Sequence, residues 1–316
     1  MAADPETRSI AIALSIVAAF LWATYYIFVL SISPGTAPSA VLAFPFVFGG
    51  VAYALWACAE GNGRALLAVW KEPAAYLRTA FLILMQVSVL AATYLAGPVD
   101  AALLALIGDV VATPLLVALM FGARRMGLRS SWFGLGLLLS LVGGTMVIAG
   151  GHSLAAVPPI GWLVVPAVPL SVALYFLLSA RANLRAPPSA VVGQSMLASG
   201  LFTLLIAPAI PGGWTGLAVT DAGAWAVLVA LGLTSFFAAP VLYFAAIRRS
   251  GLVLPPMLMT GIPVFTLLLS ALVLDIGLPV IAVLGIPVAV VGAILTLRGE
   301  AASPPLGSPG APGATP

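Results

Sequence analysis

VDAALLALIGDVVATPLLVALMF, from Val99 to Phe121, is an apolar stretch with one carboxylate inside it. A helix needs about 20 predominantly apolar residues to cross the roughly 30 Å hydrocarbon core of a bilayer, and this stretch has the length. Asp100 at its start marks a membrane surface, and Asp109, nine residues further, falls roughly 13 Å down the helix. An ionisable group at that depth costs at least about 2.5–3.5 kcal/mol on insertion scales, so it faces protein or a watery cavity. Pro114 follows a little over one turn later, where it frees a carbonyl near Val110 and can kink the helix. No other Asp, Glu, Lys, Arg or His is expected more than a turn inside any apolar segment. Gly251–Leu274, with Pro263, is the counterpart of this stretch.

Working outward, the 316 residues are 62% hydrophobic and 7% charged, with mean hydropathy +1.19. Soluble domains run near 25% charged residues, so the composition predicts an all-α polytopic membrane protein. Twelve Lys/Arg against nine Asp/Glu leave +3, which is a topology signal and implies no nucleic-acid partner. Cys58 is the single cysteine, which excludes an intrachain disulfide. With His152 it cannot assemble a Cys/His metal site, and no cofactor is expected. Asp4 and Glu6 outweigh Arg8, and the apolar run from Ile10 to Leu30 is too long for a signal-peptide core.

Ten spans are expected, at 10–30, 39–59, 79–97, 99–121, 131–150, 159–180, 189–210, 223–246, 251–274 and 278–297. Short turns such as SPGTAP (33–38), AGPVD (96–100), APP (186–188) and PGG (211–213) join them. LLAVWKEPAAYL, before the third span, reads as an interfacial helix with Trp70 and Tyr76 at headgroup depth. The tail after Glu300 has nothing to bury and is expected to be disordered. All twelve Lys/Arg fall on the side of the N-terminus, while the opposite loops carry Asp100, His152, Asp221 and Asp275. The positive-inside rule then places both termini in the cytoplasm and the protein in the cytoplasmic membrane.

A shift of 149 residues lays Tyr26 on Tyr175, Pro38 on Pro187, Tyr94 on Tyr243 and Pro114 on Pro263. It also carries Gly136, Gly143 and Gly150 onto Gly285, Gly292 and Gly299. Two five-span repeats, 1–150 and 151–299, follow, with 300–316 as a cytoplasmic tail. Five is odd, so the second repeat is inverted in the membrane, an organisation typical of secondary transporters.

Trp22 late in the first span, Pro114 and Pro263, and the runs GLGLLLSLVGGTMVIAG (134–150) and GIPVAVVGAILTLRG (285–299) resemble the EamA-type families of the drug/metabolite transporter superfamily. The resemblance covers roughly residues 8–299. Where members carry Gly-Glu after the fourth and ninth helices, this chain has Gly122-Ala123 and Leu274-Asp275. The resemblance implies a cavity lined by spans 1, 3, 4, 6, 8 and 9, with 5 and 10 outside. It also implies export of amino acids, metabolites or drugs.

Each candidate site residue has two readings. Asp109, with Thr113 one turn away, is either a proton-coupling or cation-recognising carboxylate, or a structural Asp bonded to a neighbouring helix. Tyr26 and Tyr94 in the outer membrane half, with Tyr175 and Tyr243 in the inner half, are either aromatic gates or an interfacial belt. Trp22 and Tyr25 share a face and continue the outer cluster. Ser171, Tyr175 and Ser179 form a polar stripe at every fourth residue, suited to a cavity unless the hydroxyls serve their own helix. Gln86, Ser88 and Thr93 are further cavity candidates, and the matched glycines are packing seams.

Enzyme readings find little support: no second deep Asp exists for an aspartyl dyad, and His152 sits in a loop, far from any serine at depth. The expected function is a secondary transporter exporting a small organic metabolite by alternating access, with protons as a candidate coupling ion. A non-transporting receptor or scaffold of the same fold is the alternative. The expected partners are a small-molecule substrate and the lipid bilayer; monomer and homodimer both stay open.

Overall fold

The computed structural model of the chain describes residues 5–32, 36–107, 130–151, 161–183, 185–209, 213–250, 254–275 and 280–301. Among them every regular element is helical. The helices are α1 (Pro5–Ser31), α2 (Pro38–Ala59), α3 (Gly63–Val69), α4 (Pro73–Ala96) and α5 (Pro98–Ile107). They continue with α6 (Ser131–Gly151), α7 (Gly161–Asn183), α8 (Pro188–Leu205) and α9 (Ala222–Ser250). Last come α10 (Leu254–Leu258), α11 (Gly261–Leu274) and α12 (Val280–Ala301).

Proline sets several of the starts. Pro38, Pro73, Pro98 and Pro188 each open a helix, where the missing N–H is one the first turn would leave unpaired anyway. Asp221 caps α9 instead, its carboxylate accepting from Gly223 N at 3.2 Å and Ala224 N at 2.8 Å, two donors the first turn leaves unpaired. Gly97, at φ +100°, turns the chain sharply between α4 and α5.

Among the described residues, five helices are long and apolar enough to cross a membrane: Glu6–Ser31, Pro38–Ala59, Pro73–Leu95, Pro188–Leu205 and Ala222–Ser250. The exterior agrees, because residues such as Leu272 (82% exposed) and Val280 (76%) stand on the surface while Ser171, Ser179, Gln194 and Thr203 are fully buried. A soluble monomer does not display so much contiguous apolar surface.

Helix α6 packs along α12, α2 along α8, α4 along α7, and α1 along α9. In the first pair the backbones nearly touch. A Cβ on Gly143 would strike Ala289 and lie 2.7 Å from Gly285 O, and one on Gly292 would strike Ser140 and lie 2.7 Å from Gly136 O. Close approach of this kind lets helices pack where no hydrophobic effect drives them together.

Three expectations need correction. The short helix in that connection is Gly63–Val69, ending before Trp70, and Tyr76 belongs to α4. The third span starts at Pro73, not residue 79, because Pro73 is a good first helical residue and Glu72 supplies the extended entry. Arg78 therefore lies inside the helix, about 8 Å beyond its first residue, and is 1% exposed. The expectation that no second ionisable residue lies more than a turn inside a span does not hold.

Candidate functional site

Helix α9 shows how local sequence builds the centre of the bundle. Between Gly232 and Ala238 it widens to a π-helix, and the Ala239 N–H reaches back five residues to Thr234 O. In that register the donor to Ser235 O would come from residue 240, which is a proline without an N–H. Trp22 of α1 fills the place, donating from Nε1 to Ser235 O at 3.0 Å. Ser235 Oγ returns a bond to Leu21 O, also at 3.0 Å. Short π segments of this type recur at functional sites.

The Trp22 ring then organises an aromatic layer. It meets Tyr243 edge-on at 5.2 Å and Phe176 at 5.6 Å, and Phe176 stands 5.0 Å from Tyr243 and 5.1 Å from Tyr175. Such offset pairs are each worth about 0.5–1.5 kcal/mol beyond burial. Tyr25 sits in a separate group, against Tyr26 at 5.3 Å and Phe236 at 6.2 Å. So Trp22 and Tyr25, expected in one cluster, serve two adjoining ones.

Tyr26, Tyr175 and Tyr243 are 1–4% exposed inside the bundle, whereas an interfacial belt needs exposed rings; of the four, Tyr94, at 47%, is the one on the bundle's surface. Of the polar stripe, Ser171 is bonded to its own helix at Ala167 O (2.6 Å) and Val168 O (3.0 Å). Tyr175 and Ser179 lie side by side, yet neither hydroxyl closes a well-formed hydrogen bond among the described residues. Thr93 bonds Val89 O at 2.8 Å, Ser88 is buried, and the buried Gln86 Oε1 has no partner among the described residues. Pro263 is buried in α11. Asp109, Thr113 and Pro114 lie outside the described residues.

Beyond Tyr175 comes a group the sequence reading missed. The Arg78 side chain, buried between α4, α7 and α8, donates from Nη2 to Gln194 Oε1 at 3.5 Å, and its Nη1 lies 3.8 Å from Glu72 Oε2. Gln194 is oriented by donating to Thr79 Oγ1 and accepting from Ser195 Oγ, each at 3.3 Å. Tyr175 is close enough for its hydroxyl to feel the guanidinium charge. A glutamine inside the apolar run 188–205 was the one available signal.

At the same end of the helices opens a cavity of about 1050 Å³, lined among others by Trp56, Glu60, Asn183, Arg185, Arg248 and Arg249. Glu60 is already engaged, accepting from Asn62 Nδ2 and Ser189 Oγ at 3.0 Å each, so three arginines face one committed carboxylate. Asn183, Ser179 and Tyr175 lie one turn apart on α7 and run from the cavity wall inward. The opposite end, near Thr36 and Asp221, has a cavity of about 100 Å³.

The fold defines a multi-pass membrane protein whose described regular elements are all helical, with a polar cavity among the charged residues at one end. Residues 159–298 match the model of the EamA-like transporter family, which belongs to the drug/metabolite transporter superfamily. A crystal structure described only as that of a protein aligns with a TM-score of 0.72 at 21% identity, covering 93% of this chain and 98% of the other. That likeness shows the shared fold. No curated protein matches the chain by sequence.

Proposed function

We propose that the chain is a secondary transporter that exports a small organic metabolite across the cytoplasmic membrane by alternating access, with both termini inside. The observation that carries this reading is the match of residues 159–298 to a transporter family. The 149-residue offset extends it to the first half. Reciprocity at the α6–α12 seam supports the repeat: shifting Gly143, Ser140 and Gly136 by the offset gives Gly292, Ala289 and Gly285, the groups that face one another. The pairing of α1 with α9 and of α4 with α7 is likewise exchanged by the offset. An inverted repeat of this kind can open to either side by swapping the conformations of its halves.

Among the described residues a cavity of about 1050 Å³ opens at the arginine-rich end, and one of about 100 Å³ lies near Thr36 and Asp221 at the other. This favours a form open to the cytoplasm and closed by the aromatic layer around Trp22. In this reading Asp109 is the coupling carboxylate, and Thr113, four residues on in sequence, its partner. Coupling to protons requires both protonation states of that carboxylate to be reached within one cycle.

Reconstituted protein should drive flux of at least one solute from a panel of amino acids and related metabolites. Asp109→Asn should abolish accumulation driven by a pH gradient while keeping downhill exchange. Absence of protein-dependent flux across the panel would overturn the transport reading; wild-type accumulation by Asp109→Asn would remove the role of the carboxylate alone.

A further inference from the structure

We infer that Arg78 is a ligand-binding charge and that the solute it receives carries a carboxylate. A guanidinium presents five N–H donors. In Arg78, at 1% exposure, they make one hydrogen bond of 3.5 Å among the described residues. The Glu72 carboxylate stands 3.8 Å away and is half exposed, too far for a hydrogen bond and too wet for a strong ion pair. Nε is buried and has no partner among the described residues. An enclosed cation so lightly served is costly to hold unless a further acceptor completes it.

The Nε edge of a guanidinium takes a planar carboxylate side-on with two parallel hydrogen bonds, a match that neither an amine nor a neutral amide reproduces. Its surroundings are arranged for such a visitor. Gln194, held by Thr79 and Ser195, is a neutral partner and leaves the charge of Arg78 uncancelled. The Asn183 amide, with neither polar atom partnered among the described residues, continues the polar line outward to the cavity wall. The cavity at the same end, with Arg185, Arg248 and Arg249 in its lining, concentrates anions there.

The inference deepens the transport reading by naming a substrate class, and binding tests it without flux. Purified wild-type protein in neutral detergent is titrated with benzoate, succinate and glutamate, with inorganic phosphate, and with benzylamine and putrescine, read by thermal shift and equilibrium dialysis. At least one carboxylate should bind and raise the melting temperature, the amines should not, and phosphate should be weaker. Arg78→Gln should abolish carboxylate binding. Arg78→Lys, which keeps the charge but not the fork, should fold and bind the same acid at least tenfold more weakly, with phosphate less affected.

Failure of every carboxylate to bind, or wild-type affinity in Arg78→Lys, overturns the proposal. A stabilisation seen only in nanodiscs containing phosphatidylglycerol, and lost in Arg78→Lys, would also overturn it by assigning the site to a lipid headgroup. Carboxylate binding through Arg78 without flux of any bound acid would leave this inference standing and remove the transport reading.

Discussion

Replacing Gly143 or Gly292 with alanine tests the α6–α12 seam quantitatively. A Cβ at Gly143 would stand 2.7 Å from Gly285 O and one at Gly292 2.7 Å from Gly136 O, whereas ordinary contact begins at 3.4 Å. The nearest obstacles are backbone atoms of Ala289 and Ser140, closer still than the two carbonyls, so moving a side chain does not relieve them and the helices must part by more than about 0.7 Å. A gap of that size forfeits about a quarter to a half of the dispersion energy along the seam. Overpacking changes of this kind cost about 1–3 kcal/mol. Because one displacement relieves both clashes, the double variant should cost less than the sum, with a coupling of at least about 0.5 kcal/mol. Gly134 lies on the same helix with nothing within 4 Å of its Cβ position. Gly134→Ala should therefore be neutral or stabilise by up to about 1 kcal/mol through helix propensity. Thermal melts in detergent should rank Gly134→Ala at or above wild type, with the two seam variants lower and equal to each other. Wild-type melting of Gly143→Ala and Gly292→Ala, or strict additivity in the double variant, would refute the close-contact reasoning.

Trp22→Phe retains a ring among Tyr243 and Phe176 but removes the donor to Ser235 O. It should lower stability by about 1–3 kcal/mol, the cost of orphaning a buried acceptor, and a melt indistinguishable from wild type would show that the π segment needs no external donor. In a Cys58→Ala background, Gly213→Cys should label from outside with an impermeant maleimide and Ala182→Cys should not, in keeping with the arginine distribution. The reverse pattern would invert the proposed topology and with it the direction assigned to the large cavity.

Much of the architecture was legible in the chain itself. Bilayer thickness sets the length of each apolar run, and prolines and glycines punctuate them, so helices at 38–59, 131–151 and 188–205 stand close to where hydropathy and turn residues put them. The glycines 149 residues apart were readable as packing positions, and Gly143 and Gly292 do face the opposite helix. Arg78 was not legible, because an apolar window ends at the first charge, whereas the helix continues back to Pro73 and buries that charge against α7 and α8. Nor was the π segment, although Pro240 within an apolar run was its one trace, since the orphaned carbonyl it creates has meaning only once Trp22, 213 residues away in sequence, arrives to pair with it. Which tyrosines are interior was equally undecided: Tyr94 and Tyr243 occupy equivalent places under the offset, yet one is half exposed and the other 1% exposed. Spans and their order follow from local composition, because a bilayer acts on each segment separately; the polar interior is decided by the tertiary structure, because it consists of contacts between segments that no local pattern encodes.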